Sequence, residues 1–142
     1  MICLRVPQWL SAPPTVMVNG KAIRGEQTPH GYIVLEGAWK DQLIEVVLPK
    51  AITAYPLPDS PDTVAFLDGP VALAGLVEEE RTLYYKTVPE EILVPYDERR
   101  WTQWLTGWKT VGQPVNFVFR PLYEIGTEPY TIYFPVKQID RR

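Results

Sequence analysis

Side chains that could serve as base or nucleophile are few in this sequence. His30 is the only histidine and stands between Pro29 and Gly31 in a predicted loop. A nucleophile needs a base that converges on it in space, so a Ser-His-Asp or Cys-His device is not indicated. Gly107 and Gly112 lack the spacing and the Lys-Ser/Thr ending of a phosphate-binding loop. The sequence therefore predicts a solvated or locally hydrogen-bonded loop histidine and no nucleotide site.

Carboxylates are abundant enough to suggest glycoside hydrolysis, which uses a pair of them on either side of the scissile bond. Adjacent carboxylates on a strand point to opposite faces, and the run at 78–80 falls where a predicted strand ends. A solvated, charged turn is the favoured interpretation there. No catalytic residue is assigned, and whether this chain alone is an enzyme stays uncertain. The candidates considered are Glu78, Glu79, Glu80, Glu90, Glu91, Asp97, Glu98, Glu124 and Glu128.

Cysteine chemistry is equally limited. Cys3 is the single cysteine, which excludes an internal disulfide framework and a cysteine cluster for zinc or iron-sulfur binding. We predict no metal site and no cofactor.

Aromatic residues are the more informative feature, at 12% of the chain with five tryptophans. Trp101, Trp104, Leu105 and Trp108 recur at the spacing of one helical face, which predicts a short helix over residues 99–109. That stripe could be core, a docking surface for another domain, or a platform for sugar rings. Trp39 joins these three tryptophans as a candidate for domain docking or sugar stacking.

Composition predicts one folded domain over residues 1–142. The chain is 46% apolar and 22% charged, with 14 basic and 17 acidic residues for a net charge of −3. No basic cluster indicates nucleic acid as a partner, and no apolar run is long enough to span a membrane. The absence of a signal peptide slightly favours the cytoplasm, and the compartment is otherwise unknown.

Fifteen prolines and nine glycines divide the chain into short segments that predict strands. Asn19-Gly20 predicts a type I′ hairpin turn, and residues 31–36 with 43–48 predict a second hairpin. Residues 55–61 are interpreted as a proline-rich connector. Further strands are predicted at 2–6, 63–67, 71–77, 82–86, 115–120 and 130–135. We expect an all-β fold, an antiparallel, jelly-roll-like β-sandwich with at most one short helix, and a partly open barrel as the main competitor.

Several motifs, in order along the chain, resemble one enzyme family. They are Leu4-Arg5-Val6-Pro7-Gln8-Trp9, Val18-Asn19-Gly20-Lys21, Gly31-Tyr32-Ile33, Trp39-Lys40-Asp41, Ile44-Glu45-Val46-Val47-Leu48-Pro49, Phe66-Leu67-Asp68-Gly69-Pro70-Val71-Ala72-Leu73-Ala74, Pro121-Leu122-Tyr123-Glu124-Ile125 and Glu128-Pro129-Tyr130-Thr131-Ile132-Tyr133-Phe134. Together they resemble the C-terminal β-sandwich region of glycoside hydrolase family 127, the β-L-arabinofuranosidase-type enzymes.

The resemblance implies a parent protein in which an α/α toroid carries the chemistry and β-sandwich modules pack beside it. The family's zinc-bound cysteine nucleophile and its glutamate lie in the toroid, and no motif of that site occurs here, so no residue is carried over. We therefore expect a non-catalytic accessory module, either an excised fragment or a free-standing protein, whose partner is the toroid. The alternative is a carbohydrate-binding module that uses surface tryptophans. A homodimer is a further expectation, because two isolated modules could bury their exposed aromatic side chains against each other.

Overall fold

The computed structural model describes residues 1–100 and 103–139. Its elements are nearly all strands, and all pairings but one are antiparallel among the described residues, which confirms the all-β prediction. The jelly-roll arrangement stays a prediction. The chain divides into two compact units, Met1–Ala51 (unit 1) and Ile52–Arg142 (unit 2). The expectation of a single domain over residues 1–142 likewise stays a prediction.

Unit 1 holds two small antiparallel sheets. One has the order β1-β5-β4 and the other β3-β2-β6. Buried apolar side chains are few here, namely Val16 and Leu35. The six strands are β1 (Ile2–Arg5), β2 (Thr15–Val18), β3 (Lys21–Ile23), β4 (Glu26–Gln27), β5 (Tyr32–Leu35) and β6 (Ile44–Val47).

The hairpin turn between β2 and β3 forms where the sequence predicts it. Asn19 and Gly20 both have positive φ, 51° and 81°, as a type I′ turn requires. Asn19 also ties this turn to the start of β6, because its Oδ1 accepts from the Leu43 amide at 3.0 Å and its own amide donates to the Leu43 carbonyl at 2.9 Å. The turn therefore sets the position of β6 as well as that of β3.

The second predicted hairpin is wrong. Its two strands form as β5 and β6, but β5 pairs with β1 and β4 while β6 pairs with β2. The physical reason is that partners distant in sequence offer these strands a full register, such as Leu4 opposite Ile33 and Val16 opposite Val46. The polar residues at 40–42 connect two sheets instead of closing a hairpin.

Unit 2 is built on one sheet path with the order β10-β16-β8-β9-β15-β14-β11, and β7 pairs with β8 beside that path. β12 and β13 form a separate two-stranded sheet. Two short 3₁₀ helices, Pro89–Ile92 and Leu122–Glu124, lie between strands. The strands are β7 (Ile52–Leu57), β8 (Ser60–Asp68), β9 (Val71–Gly75), β10 (Leu83–Tyr85), β11 (Leu93–Pro95), β12 (Glu98–Arg100), β13 (Gln103–Leu105), β14 (Trp108–Thr110), β15 (Val118–Pro121) and β16 (Tyr133–Gln138).

The core of unit 2 is centred on a cluster of the four phenylalanines of the chain. Phe119 contacts Phe66, Phe117 and Phe134 with ring centroids 5.6, 5.3 and 5.1 Å apart. Gly75 is required beside them, because a Cβ at that position would lie 2.5 Å from Cζ of Phe134. Phe66, Phe119 and Phe134 come from β8, β15 and β16, and Phe117 directly precedes β15, so the cluster joins segments that are distant in sequence.

The helix predicted over residues 99–109 is wrong. Apart from Thr106 and Gly107, the described residues of that segment belong to β12, β13 and β14. β14 pairs with both β11 and β15, placing Trp108 opposite Phe119. The aromatic spacing fits a helix, but these pairings bury the segment's last tryptophan in the sheet, and the sequence pattern alone does not contain them.

The proline-rich segment 55–61 is also more regular than predicted. It lies in β7 and the start of β8, which pair from Ile52 opposite Asp68 to Leu57 opposite Ser60. A register shift between Pro56 and Leu57 accommodates the prolines, whose ring nitrogens cannot donate to the ladder. The connector is therefore an irregular hairpin.

Candidate functional site

Two of the carboxylates considered for catalysis serve the backbone instead. Oε1 of Glu91 accepts from the amides of Lys86 and Thr87 at 2.6 and 2.9 Å. Oε1 of Glu90 accepts from the amide of Ala54 at 3.0 Å. Both residues belong to the 3₁₀ helix at Pro89–Ile92, so the Glu90-Glu91 pair ties β7 and the residues that follow β10 to this helix.

The remaining carboxylates are dispersed. Glu78, Glu79 and Glu80 are exposed, and Oε2 of Glu128 accepts from the Gly126 amide at 2.7 Å. Glu124 ends the second 3₁₀ helix and is half-buried. Asp97 is exposed, and Glu98 lies on β12. The structure thus gives several of these groups a structural or solvated role.

His30 and Cys3, the other reactive side chains, lie at the surface of unit 1. His30 is exposed in the turn before β5, and Cys3 is a free, exposed thiol on β1. Within residues 1–100 and 103–139, no group of three or more His, Cys, Asp or Glu side chains is arranged to hold a metal ion. In the same part of the chain, no helix has the length and apolarity needed to cross a membrane.

The four candidate tryptophans lie in different environments. Trp108 is buried in the core of unit 2 at 8% exposure, so its ring faces inward and is covered in this structure. Trp39 is half-buried in unit 1, with Nε1 shielded from solvent and no hydrogen-bond partner among the described residues. Trp104 lies on β13, and Trp101 lies outside the described residues. The predicted continuous tryptophan stripe does not form on a helix.

Three exposed apolar side chains lie close together in sequence on and beside β6. Leu43, Val46 and Val47 are 62%, 38% and 50% exposed. Val46 and Val47 are neighbours on a strand and therefore face opposite sides of it. β6 is also the last strand of its sheet order, so it presents an edge. We call Leu43, Val46, Val47 and this strand edge the β6 surface.

A second exposed aromatic feature was missed by the sequence analysis. Tyr55 on β7 and Tyr133 on β16 lie opposite Ala65 of β8 from its two sides, so all three side chains share one face of the sheet. The two tyrosines are 48% and 51% exposed, and Ala65 is 9% exposed. The alternation at 130–135 could have indicated Tyr133, but the strand β7 that presents Tyr55 was interpreted as a connector.

Comparison with known proteins agrees with the resemblance. Residues 1–50 match the family model of the β-L-arabinofuranosidase GH127 middle domain. None of the curated proteins matches this sequence. The predicted resemblance is therefore confirmed for residues 1–50, the segment that corresponds to unit 1.

Solved structures share the fold over nearly the whole chain. A GH127 β-L-arabinofuranosidase from Geobacillus stearothermophilus T6 superposes with a TM-score of 0.70 at 15% identity, covering 95% of this chain and 26% of that one. A protein described as a glycoside hydrolase gives 0.68 at 15% identity over 94% and 27%. A GH127 β-arabinofuranosidase gives 0.65 at 16% identity over 88% and 23%. The chain spans about a quarter of the length of these structures.

Proposed function

We propose that this chain is a non-catalytic β-sheet module of a larger glycoside hydrolase of the β-L-arabinofuranosidase type, and that it packs on and supports an α/α-toroid catalytic domain. The observation that carries the proposal is the unequal coverage: 95% of this chain corresponds to only 26% of the solved arabinofuranosidase. The larger share of such an enzyme lies outside the matched region, which leaves room for a separate catalytic domain.

The distribution of carboxylates supports a supporting role. Glu90, Glu91 and Glu128 accept hydrogen bonds from backbone amides, which fixes loops instead of presenting an acid and a base to a substrate. A glycosidase needs two carboxyl groups facing each other across a cleft at about 5–9.5 Å. The module therefore contributes shape and surface in this proposal, and the chemistry belongs to the toroid.

The β6 surface is the proposed contact with that domain. Its apolar side chains on both faces of an edge strand are costly to leave in water and typical of a surface that another domain covers. Edge backbone groups of β6 would also gain partners in a complex. A contact of this kind needs no catalytic side chain in the module.

Co-expression of the chain with the α/α-toroid domain of the proposed parent protein, made as a separate chain, tests the proposal. We expect a stable one-to-one complex by size-exclusion chromatography with light scattering, and loss of the complex with Val47→Asp. Tyr123→Asp in unit 2 is the matched control, because Tyr123 is 75% exposed and lies outside the β6 surface. Separate elution of the two unmodified proteins, or hydrolysis of an arabinofuranoside by the chain alone, would contradict the proposal.

The alternative is a carbohydrate-binding module that uses surface tryptophans. Trp108 lies in the core of unit 2, which argues against sugar stacking by that residue. Trp39, Trp101 and Trp104 stay as predictions for docking or stacking. A homodimer of the isolated chain through the β6 surface would appear in the same light-scattering experiment.

A further inference from the structure

Two adjoining clefts lie on unit 2 between the loop at residues 76–82 and the loop at residues 111–117. One has a volume of about 270 Å³ and reaches Tyr84 and Gln113. The other has a volume of about 330 Å³ and reaches Glu78 and Glu79. Both share the same three lining residues, Arg81, Val115 and Phe117. Each volume is near the lower end for small-molecule sites, and we call the pair the Arg81 cleft.

Arg81 is the charged group at the centre of this cleft. The side chain is half-buried, and its Nε is shielded from solvent without an acceptor among the described residues. A buried donor of a charged group that lacks an acceptor destabilises the free protein. Because Arg81 lines both clefts, its guanidinium N–H groups can donate to an oxygen of an occupant, so the arrangement favours an oxygen-rich occupant.

The wall opposite Arg81 is held rigid by hydrogen bonds. Oε1 of Gln113 accepts from the Tyr84 amide at 2.8 Å, and its Nε2 donates to the carbonyls of Tyr84 and Val111 at 2.8 and 3.0 Å. Asn116 Oδ1 accepts from the Gln113 amide at 3.2 Å, and the Phe117 amide donates to the buried hydroxyl of Thr110 at 2.9 Å. A wall fixed in advance lowers the entropic cost of binding.

Charge decides the class of ligand. The loop that carries Arg81 also carries the three exposed carboxylates at residues 78–80, so negative charge exceeds positive charge beside the cleft. An anionic ligand is repelled by that excess. A neutral polyhydroxylated molecule offers oxygen acceptors to Arg81 and hydroxyl donors to Glu78 and Glu79, while its C–H face can contact the apolar side chain of Val115.

We propose that the Arg81 cleft binds a neutral saccharide through its hydroxyl groups. The site uses none of the four tryptophans predicted earlier. It also shares no residue with the β6 surface, because the cleft is formed by unit 2 and the β6 surface by unit 1. Binding of sugar and docking on a catalytic domain can therefore succeed or fail independently.

The test is a titration of the ¹⁵N-labelled 142-residue chain with a neutral arabino-oligosaccharide, followed by amide chemical shifts. We expect saturable shifts centred on Arg81, Val115 and Phe117, with a dissociation constant in the millimolar range. Arg81→Ala is expected to weaken binding roughly tenfold or more, as for loss of a hydrogen bond to a charged group. Glu79→Gln is expected to weaken it less. Arg24→Ala, at an exposed arginine of unit 1, is the matched control and should bind the oligosaccharide with the affinity of the unmodified chain.

Arg81→Lys keeps the positive charge while removing the forked donor, so it remains informative if the alanine variant fails to fold. Absence of saturable shifts, unchanged affinity in both Arg81 variants, or shifts centred on Trp39 would overturn the proposal. Tighter binding of an oligogalacturonate than of the neutral sugar would overturn the assignment of a neutral ligand. Failure of the β6 surface to dock would leave all of these outcomes unaffected.

Discussion

Units 1 and 2 have similar strand content per residue but very different interiors. Unit 1 buries Val16 and Leu35, whereas the other buried apolar side chains of the described chain lie in unit 2 around its phenylalanine cluster. Unit 1 also exposes the apolar side chains of β6. Strand pairing alone therefore does not make a self-sufficient domain, and the difference indicates that unit 1 depends on a covering surface more than unit 2 does.

Separating the two units should give the largest effect. A fragment of residues 52–142 is expected to keep a cooperative urea transition by circular dichroism, because it retains the phenylalanine cluster. A fragment of residues 1–51 is expected to be unfolded, because a chain this short with two buried apolar side chains supplies little hydrophobic stabilisation. A cooperative transition in the shorter fragment would break the comparison.

Phe119→Ala should show the size of the interior that unit 2 has and unit 1 lacks. The ring is fully buried and contacts three other phenylalanines, so its removal leaves a cavity and should lower the free energy of unfolding by about 3–5 kcal/mol. Urea denaturation measures this loss. Tyr123→Ala, at an exposed position, should change stability by no more than about 0.5 kcal/mol.

Gly75→Ala tests how tightly that interior is packed. The added methyl would lie 2.5 Å from Cζ of Phe134 and 3.0 Å from Cε2 of Phe117, so overpacking should cost about 1–3 kcal/mol. Gly126→Ala is the control, because its nearest neighbour is the flexible end of Glu128 at 3.4 Å. Equal thermal denaturation midpoints for the two variants would show that the cluster is loosely packed.

Asn19→Ala should give the smallest change and reports on unit 1. Alanine tolerates the positive φ of this position poorly and cannot accept from the Leu43 amide, so we expect a loss of about 1 kcal/mol. Asn19→Gly restores the backbone freedom without the side-chain bond and should recover part of the loss. Hydrogen exchange of β2 and β6 measures both changes. Exchange that is unaltered from the unmodified chain in both variants would contradict the role of Asn19 in positioning β6.

Sequence reasoning succeeded where the signal is local. Asn19-Gly20 specifies its turn because few residue pairs accept positive φ at both positions, and frequent prolines and glycines exclude long helices. It failed where distant pairing decides. The local pattern of residues 31–48 predicts a hairpin, but in the structure their strands pair with β1 and β2. The spacing of Trp108 predicts a helix, but its strand pairs with β11 and β15.

The candidate site was harder to predict than the fold. Neither the loop contacts of Glu90 and Glu91 nor the cleft around Arg81 leaves a periodic pattern, because each depends on segments that meet only after folding. The ordered family motifs were informative because each is a short, contiguous stretch of sequence. They indicated the similar enzymes but predicted no contact between residues.

The place of β16 has a consequence for how the protein is made. This strand, the last one described, is inserted between β10 and β8 and runs parallel to β10, with Leu83 opposite Val136. Contacts across such sequence separations form slowly. During synthesis on the ribosome, the sheet cannot be completed until residue 138 has emerged. During that interval the edges of β8 and β10 lack their partner strand and are exposed to wrong pairing.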